Sequence, residues 1–363
     1  MPSIGSTVAS KQILRDRNHQ LDLLRIIFAT MVLLGHASEL SPGQLYGDLF
    51  RRWTHSNVTF GAIGVDGFFL LSGFLIVQSW ENNPELMNFL RKRALRIVPG
   101  YFVAVVLSTL VVGIAAPAVD HFFRNLGPEF AVSILFLSAP VTPAVFPGLT
   151  HNSVNGSLWT IPYEFRCYLF VAFCGMVGLI RRRRAWLFLT IALLLVVFIP
   201  LLEGFLKWNE SPFDLLIGNS EQDFRLTATY CLGGSFYLFR HEIPFRPMLA
   251  VIALAILGVC IGIHPINLEP FLVVLGAYLM FYVTRTPMKS LAWMKNFPDI
   301  SYGIYLYGWP VESLWIWYRH GSSGATFFFS TAICFGLGWL SWHFVERPML
   351  KLKSKSNTVL PGP

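Results

Sequence analysis

FGAIGVDGFFLLSGFLIVQSW, residues 60–80, is an apolar segment of 21 residues in which Asp66 is the one charged side chain. As an α-helix it would extend about 30 Å, which is the thickness of the hydrocarbon layer of a bilayer. We therefore predict that it crosses a membrane. Asp66 would then lie in an apolar environment, where a carboxylate is costly and usually has a partner or a function.

Similar apolar segments recur on both sides of residues 60–80. The whole chain is 54% hydrophobic and 13% charged, whereas a soluble domain carries about 25% charged residues. We predict an all-α fold, a polytopic membrane helix bundle of about ten transmembrane helices. Besides residues 60–80, the predicted spans are 21–38, 97–117, 157–180, 185–203, 224–240, 248–264, 268–284, 300–318 and 325–345.

The basic residues fall in short clusters between these segments, the strongest being Arg181 to Arg184. Such clusters mark cytoplasmic loops, so we read the net charge of +8 as topology and not as a nucleic-acid surface. Ten crossings with both termini cytoplasmic place 21 of the 28 basic residues inside. The stretch 129–147, interrupted by three prolines, is then re-entrant or interfacial.

The first predicted helix carries Arg25 and His36. At 100° per residue they lie about 20° apart around the axis and about 16 Å apart along it. They share one face, with His36 toward the outer end and Arg25 near the inner end. A histidine there can act as general base for a hydroxyl. Alternatively, it lies near the headgroups and makes a single hydrogen bond.

Two of the carboxylates in predicted spans are candidates for the site, namely Asp66 and Glu164. Asp66 opens the second helix, where it could orient His36 or hold the bundle together; alternatively it is an N-terminal residue favoured by the helix dipole. Glu164 stands beside Arg166. It forms a structural ion pair or lines a cavity, and we prefer the cavity.

Lys92, Arg93 and Arg96 belong to the basic loop predicted after the second helix. Arg93 and Arg96 are three residues apart and would share a face on a helix. Arginine binds phosphate oxygens bidentately, which suits a phosphate-rich ligand at the inner face. The alternative is a plain topology anchor, which the spacing alone favours.

The polar residues fall within six motifs, which resemble those of the acyltransferase-3 family of bacterial integral membrane proteins. That family includes O-antigen, exopolysaccharide and nodulation-factor acetyltransferases, and the resemblance runs from about Leu21 to Pro348. In order, the motifs are Leu21-Asp22-Leu23-Leu24-Arg25 with His36, Gly64 to Ile76, Phe89 to Pro99, Ser157-Leu158-Trp159 with Glu164, Ser301 to Leu306, and Glu346-Arg347-Pro348.

The resemblance implies transfer of an acyl group, most often acetyl, from cytoplasmic acyl-CoA to a hydroxyl of a cell-surface or lipid-linked glycan. It implies the bacterial cytoplasmic (inner) membrane, contact with membrane lipids, and neither metal nor nucleic acid. The predicted catalytic residues are His36, Arg25, Glu164 and Asp66. The predicted acyl-CoA-binding residues are Arg93, Arg96 and Lys92.

The predicted organisation is a cytoplasmic segment 1–20, a membrane acyltransferase domain 21–348 and a cytoplasmic tail 349–363. One departure from the family is Gly308, which stands where many members carry a histidine. A mechanism that needs a second histidine is therefore in doubt. The alternative function is a transporter or flippase of lipid-linked sugars, and a third is a signalling or scaffold protein.

Overall fold

The computed structural model describes most of the chain, namely residues 19–41, 49–54, 58–116, 119–149, 151–199, 219–263, 268–286, 291, 293–294 and 297–352. Every regular element in these residues is helical. The predicted cytoplasmic segment 1–20 and tail 349–363 lie almost entirely outside them, so both remain predictions.

Among the residues that the structure describes, there are fourteen α-helices and two short helical turns. A 3₁₀ turn covers Gly156–Thr160 and a π-helical turn covers Trp342–Glu346. The α-helices are α1 (His19–Leu40), α2 (Leu49–Thr54), α3 (Phe60–Asn82), α4 (Leu86–Ala115), α5 (Val119–Arg124), α6 (Pro128–Leu135), α7 (Ile161–Met176), α8 (Arg183–Phe198), α9 (Ser220–Leu238), α10 (Pro247–Gly262), α11 (Glu269–Arg285), α12 (Ser301–Arg319), α13 (Ser323–Ser341) and α14 (Arg347–Lys351).

Each of the ten predicted spans coincides with one long helix in the described chain. Among the described residues, four helical stretches are long and apolar enough to cross a membrane, namely His19–Leu40, Phe60–Asn82, Leu86–Ala115 and Ser323–Lys351. The helical class is therefore confirmed, and the number of ten crossings remains a prediction.

The region between α3 and α4 differs from the sequence interpretation. The basic block was expected in a loop, but Arg91 to Arg96 lie inside α4, which begins at Leu86. Phe89 and Ile97 are both buried, and Phe89 packs edge-on against Trp80. Because these apolar residues keep helical spacing, the helix starts before the basic residues and carries them along its side.

The proline-interrupted stretch does not form a long helix. It contains α6, which has only 8 residues and extends about 12 Å, followed by irregular backbone. That length cannot cross a hydrocarbon layer of about 30 Å. This agrees with a re-entrant or interfacial segment.

Helix α3 lies at the centre of the bundle, between α1 and α9, and α1 packs in turn against α12. Small residues bring the central helices close together. Gly73 of α3 faces the carbonyl of Tyr230, and Gly233 of α9 faces the carbonyl of Leu70. Close backbone approach at glycine is a common way for helices to pack in membranes. It fixes the position of α3, which carries several residues of the site.

Replacing Gly73 with alanine is expected to destabilise the bundle by about 1–3 kcal/mol, the usual cost of overpacking. The added Cβ would collide with backbone, which cannot move aside as a flexible side chain can. Thermal unfolding of the purified protein measures the effect. Gly258→Ala on α10 is the matched control, since no heavy atom lies within 4 Å of the added group. Equal melting temperatures for the two variants would contradict the close contact.

Large apolar side chains cover the outside of several helices. On α4, Phe102, Leu110, Val111 and Ile114 are 45–65% exposed. An apolar surface of this extent is unfavourable in water and is expected for a helix in contact with lipid. Together with the apolar helices it identifies a helical membrane protein.

Candidate active site

A cavity of about 440 Å³ opens between α1, α3, α4, α7 and α12. Its size lies in the range of small-molecule sites. Four of the residues predicted for the site line it, namely Arg25, Arg93, Arg96 and Glu164. They come from three helices far apart in the chain. The apolar part of the wall includes Val65, Phe68, Phe69, Leu75, Ile76, Ile97, Ile161 and Leu350.

Asp299, just before α12, binds two of the cavity arginines. Its Oδ2 accepts from Arg96 at 2.6 Å and from Arg25 at 3.2 Å, and its Oδ1 accepts from Ser301 at 2.8 Å. Burial alone would raise the pKa of Asp299, but the charges of Arg96 and Arg25 outweigh it and hold that pKa well below its ordinary value. Asp299 therefore stays ionised and occupies both guanidinium groups.

Arg96 has a second carboxylate partner. Its Nη1 lies 3.7 Å from Oε2 of Glu346, which is buried in the π-helical turn. Arg96 therefore connects α4 to the loop before α12 and to the end of the chain's last long helix. The spacing in the sequence assigns Arg93 and Arg96 the same role. In the structure, however, the carboxylates of Asp299 and Glu346 already bind Arg96.

Arg93 is in a different state from Arg96. Its Nη2 donates to Ser79 Oγ at 3.4 Å, and its guanidinium lies 6.0 Å from the centre of the Tyr168 ring. Its buried Nε has no hydrogen-bond partner among the described residues. In the part of the chain that the structure describes, no carboxylate forms a salt bridge with it. Arg93 is therefore the cavity arginine most available to an anionic ligand.

Glu164 lines the cavity, as preferred from the sequence, and does not pair with Arg166. Its Oε1 accepts from Ser72 Oγ at 2.9 Å and from the Tyr168 hydroxyl at 2.5 Å. Arg166 instead binds Asp223 at 3.2 Å. Arg166 thus forms its ion pair with Asp223, and Glu164 faces the cavity.

His36 does not belong to the lining of this cavity. It lies further along α1 from Arg25, is 8% exposed, and packs edge-on against Trp309 with ring centroids 5.0 Å apart. Its Nδ1 lies 3.8 Å from Oε2 of Glu312. On α12, Tyr305 lines the cavity and Trp309 follows one turn later. His36 therefore lies a turn or so beyond the cavity along the same two helices.

Asp66 and Lys92 have other surroundings. Asp66 is buried and accepts from Arg225 of α9 at 2.7 Å, and Arg225 also binds Glu269 of α11 at 2.9 Å. This cluster joins three helices, so the geometry supports the alternative in which Asp66 holds the bundle together. Lys92 is half-buried but does not line the cavity. A functional role for either remains a prediction.

Three residues with a place in the site were not singled out from the sequence, namely Asp299, Tyr168 and Glu312. A signal existed for Glu312, because it is a carboxylate inside the predicted span 300–318, and such residues are usually functional. Asp299 falls one residue outside that span, and Tyr168 is unremarkable in an apolar helix. Their roles follow from neighbours that only the fold supplies.

Comparison with known proteins assigns the chain to a family. A family model described as an acyltransferase domain, the acyltransferase-3 model, covers residues 18–345. The O-acetyl transferase of Shigella phage Sf6 is 27% identical over 343 residues, which cover 93% of this chain and 98% of that protein. No solved structure gives a significant match.

Two further relatives match over shorter regions. Nodulation protein 10 of Rhizobium leguminosarum bv. viciae is 31% identical over 42% of this chain and 42% of its own length. The exopolysaccharide production protein ExoZ of Rhizobium meliloti (strain 1021) is 31% identical over 36% of this chain and 39% of its own length.

The fold and the cavity define a membrane-embedded protein with a polar site inside an apolar bundle. The chain belongs to the acyltransferase-3 family.

Proposed function

We propose that this protein is an O-acyltransferase of the bacterial inner membrane. It moves an acyl group, most often acetyl, from cytoplasmic acyl-CoA to a hydroxyl of a cell-surface or lipid-linked glycan. Family membership supports acyl transfer. The names of the phage O-acetyl transferase and of the exopolysaccharide production protein support an oxygen acceptor on a glycan.

The proposal that the donor is acyl-CoA depends on the surroundings of Arg93. It presents a guanidinium without a carboxylate partner among the described residues, at the wall of a cavity of about 440 Å³. A phosphate oxygen is the kind of acceptor that a guanidinium binds best. The phosphates of CoA suit Arg93, and the apolar wall suits the arm that bears the acyl group.

The separation of Arg93 from His36 also favours a long donor. Arg25, which shares the cavity with Arg93, lies about 16 Å from His36 along α1. In acyl-CoA the thioester is joined to the phosphates by a long flexible arm. We infer that the phosphates stay near Arg93 while the arm passes the cavity toward His36.

His36 deprotonates the acceptor hydroxyl, or carries the acyl group briefly itself. Both routes end with the acyl group on the acceptor oxygen and a free thiol on CoA. The basic clusters Arg91 to Arg96 and Arg181 to Arg184 support a cytoplasmic position for the donor end, with both termini on the same side.

The decisive experiment uses the full chain purified into lipid nanodiscs. It is incubated with acetyl-CoA labelled in the acetyl group and with lipid-linked oligosaccharide extracted from bacterial membranes. An O-acyltransferase releases free CoA and labels the oligosaccharide. A transporter would move the oligosaccharide across a vesicle membrane without releasing CoA, and a scaffold would do neither. Absence of both CoA release and labelling would overturn the proposal.

A further inference from the structure

A buried carboxylate outside the predicted site lies beside His36. Glu312 of α12 has no exposed surface, and its Oε2 lies 3.8 Å from His36 Nδ1. Both of these atoms are buried, and neither makes a hydrogen bond to a described group. Two unsatisfied polar atoms therefore face each other inside the bundle.

A carboxylate buried this completely is unfavourable unless it is paired, hydrogen-bonded or protonated. Ser330 of α13 donates to Glu312 Oε1 at 3.2 Å and so holds one oxygen in place. Within the described ranges, no lysine or arginine forms a salt bridge with Glu312. The basic group within 4 Å of its second oxygen is the imidazole of His36.

We propose that Glu312 is the positioning residue for His36, an inference that rests on the proposed function. Its Oε2 accepts a hydrogen bond from Nδ1–H and so selects the tautomer in which Nε2 carries the free electron pair. The two atoms need to approach by about 1 Å to reach usual hydrogen-bond length. Catalytic hydrogen bonds commonly tighten when substrate binds.

The surroundings restrict the ring as this role requires. Trp309 packs edge-on against His36, and its indole Nε1 donates to the carbonyl of Ser153 at 3.2 Å, which fixes the indole. Glu312 stands one helical turn after Gly308, and a Cβ added at Gly308 would lie 2.6 Å from a methyl group of Leu33. A histidine at residue 308 would therefore displace Leu33. In this protein Glu312 supplies the polar partner of His36 instead.

With Glu312 in this position, every bond and proton of the acyl transfer is accounted for. Nε2 of His36 takes the proton of the acceptor hydroxyl while the hydroxyl oxygen bonds to the thioester carbonyl carbon. The carbon–sulfur bond then breaks, and the thiolate of CoA takes that proton from the imidazolium. Glu312 gains and loses no proton overall, and its negative charge stabilises the imidazolium between the two steps. If His36 carries the acyl group instead, its free Nε2 attacks the thioester carbonyl carbon, the carbon–sulfur bond breaks and the thiolate of CoA leaves. The acceptor oxygen then takes the acyl group as the bond to Nε2 breaks, and the hydroxyl proton passes to the thiolate.

The test is Glu312→Gln, which keeps the shape of the side chain and removes its charge. We expect kcat to fall by about 10²-fold or more, while KM for acetyl-CoA changes by less than about threefold, because the donor phosphates bind elsewhere. Glu312→Asp should recover part of kcat. Ser313→Ala, which alters a fully buried neighbour on the same helix, is the matched control and should keep wild-type kinetics.

Wild-type kcat in folded Glu312→Gln protein would overturn the inference. If that variant does not fold, Ser330→Ala decides, since it keeps the carboxylate and removes its hydrogen bond. A lower kcat with unchanged KM supports the inference, and an unchanged kcat overturns it. An inactive wild-type protein in the same assay would remove the proposed function as well, whereas a failure of the inference alone leaves wild type active.

Discussion

His36→Ala is expected to abolish acyl transfer while the protein still accumulates in the membrane. General acid–base catalysis contributes about 10²- to 10⁴-fold, and alanine offers no group to accept a proton or an acyl group. The imidazole packs against Trp309, and its Nδ1 makes no hydrogen bond to a described group. Mass spectrometry of the cell's glycan, with and without the variant, measures acetylation directly.

The control for His36→Ala is His121→Ala, which removes an exposed histidine on α5. It should leave the glycan fully acetylated. Normal acetylation by His36→Ala would refute the role assigned to this residue. Membrane content of each variant, measured by immunoblot, separates loss of catalysis from loss of protein.

Arg93→Ala is expected to cut kcat/KM for acetyl-CoA by about 10- to 100-fold, which corresponds to the 1.5–3 kcal/mol of hydrogen bonds to a charged group. Kinetics of CoA release over a range of donor concentrations measure the change. Arg93→Lys should lie between wild type and alanine, because lysine keeps the charge and loses bidentate binding. In cells the alanine variant is expected to acetylate the glycan far less than wild type at the same protein level.

The matched control is Arg91→Ala, because Arg91 is exposed, lies two residues away on the same helix and does not line the cavity. Its kinetics should equal those of wild type. An unchanged kcat/KM for Arg93→Ala would remove the observation on which the acyl-CoA proposal depends. Arg96→Ala is a poorer test, because it would remove a salt-bridge partner from two buried carboxylates, Asp299 and Glu346, and so disturb the structure as well.

Much of the fold follows from local sequence. Residues 60–80 form α3 almost to the residue, because a bilayer accepts long apolar segments only when their backbone is hydrogen-bonded within the helix. The spacing of Arg93 and Arg96 also predicted a shared face, and both line one cavity. The prediction of a loop at Arg91 to Arg96 was wrong, because the cluster of charged residues was interpreted as a break between two helices.

The partners of the ionisable residues could not be predicted in the same way. Asp66 binds Arg225, which is 159 positions away, and Arg96 binds Asp299, which is 203 positions away. Helical periodicity gives the face on which a residue lies but not the helix that packs against it. For this reason Arg93 and Arg96 were equivalent in sequence and are different in the folded protein.

The sequence by itself determined a helical membrane protein and the residues that are costly in its apolar interior, because hydrophobicity and charge are local properties. Tertiary structure alone decided which of these residues neutralise one another and which remain free. Asp299 engages Arg25 and Arg96, Arg93 keeps an unpartnered guanidinium nitrogen, and Glu312 approaches His36. The physical reason is that electrostatic pairing depends on distance in space, and in a helical bundle the contacts between distant segments set that distance.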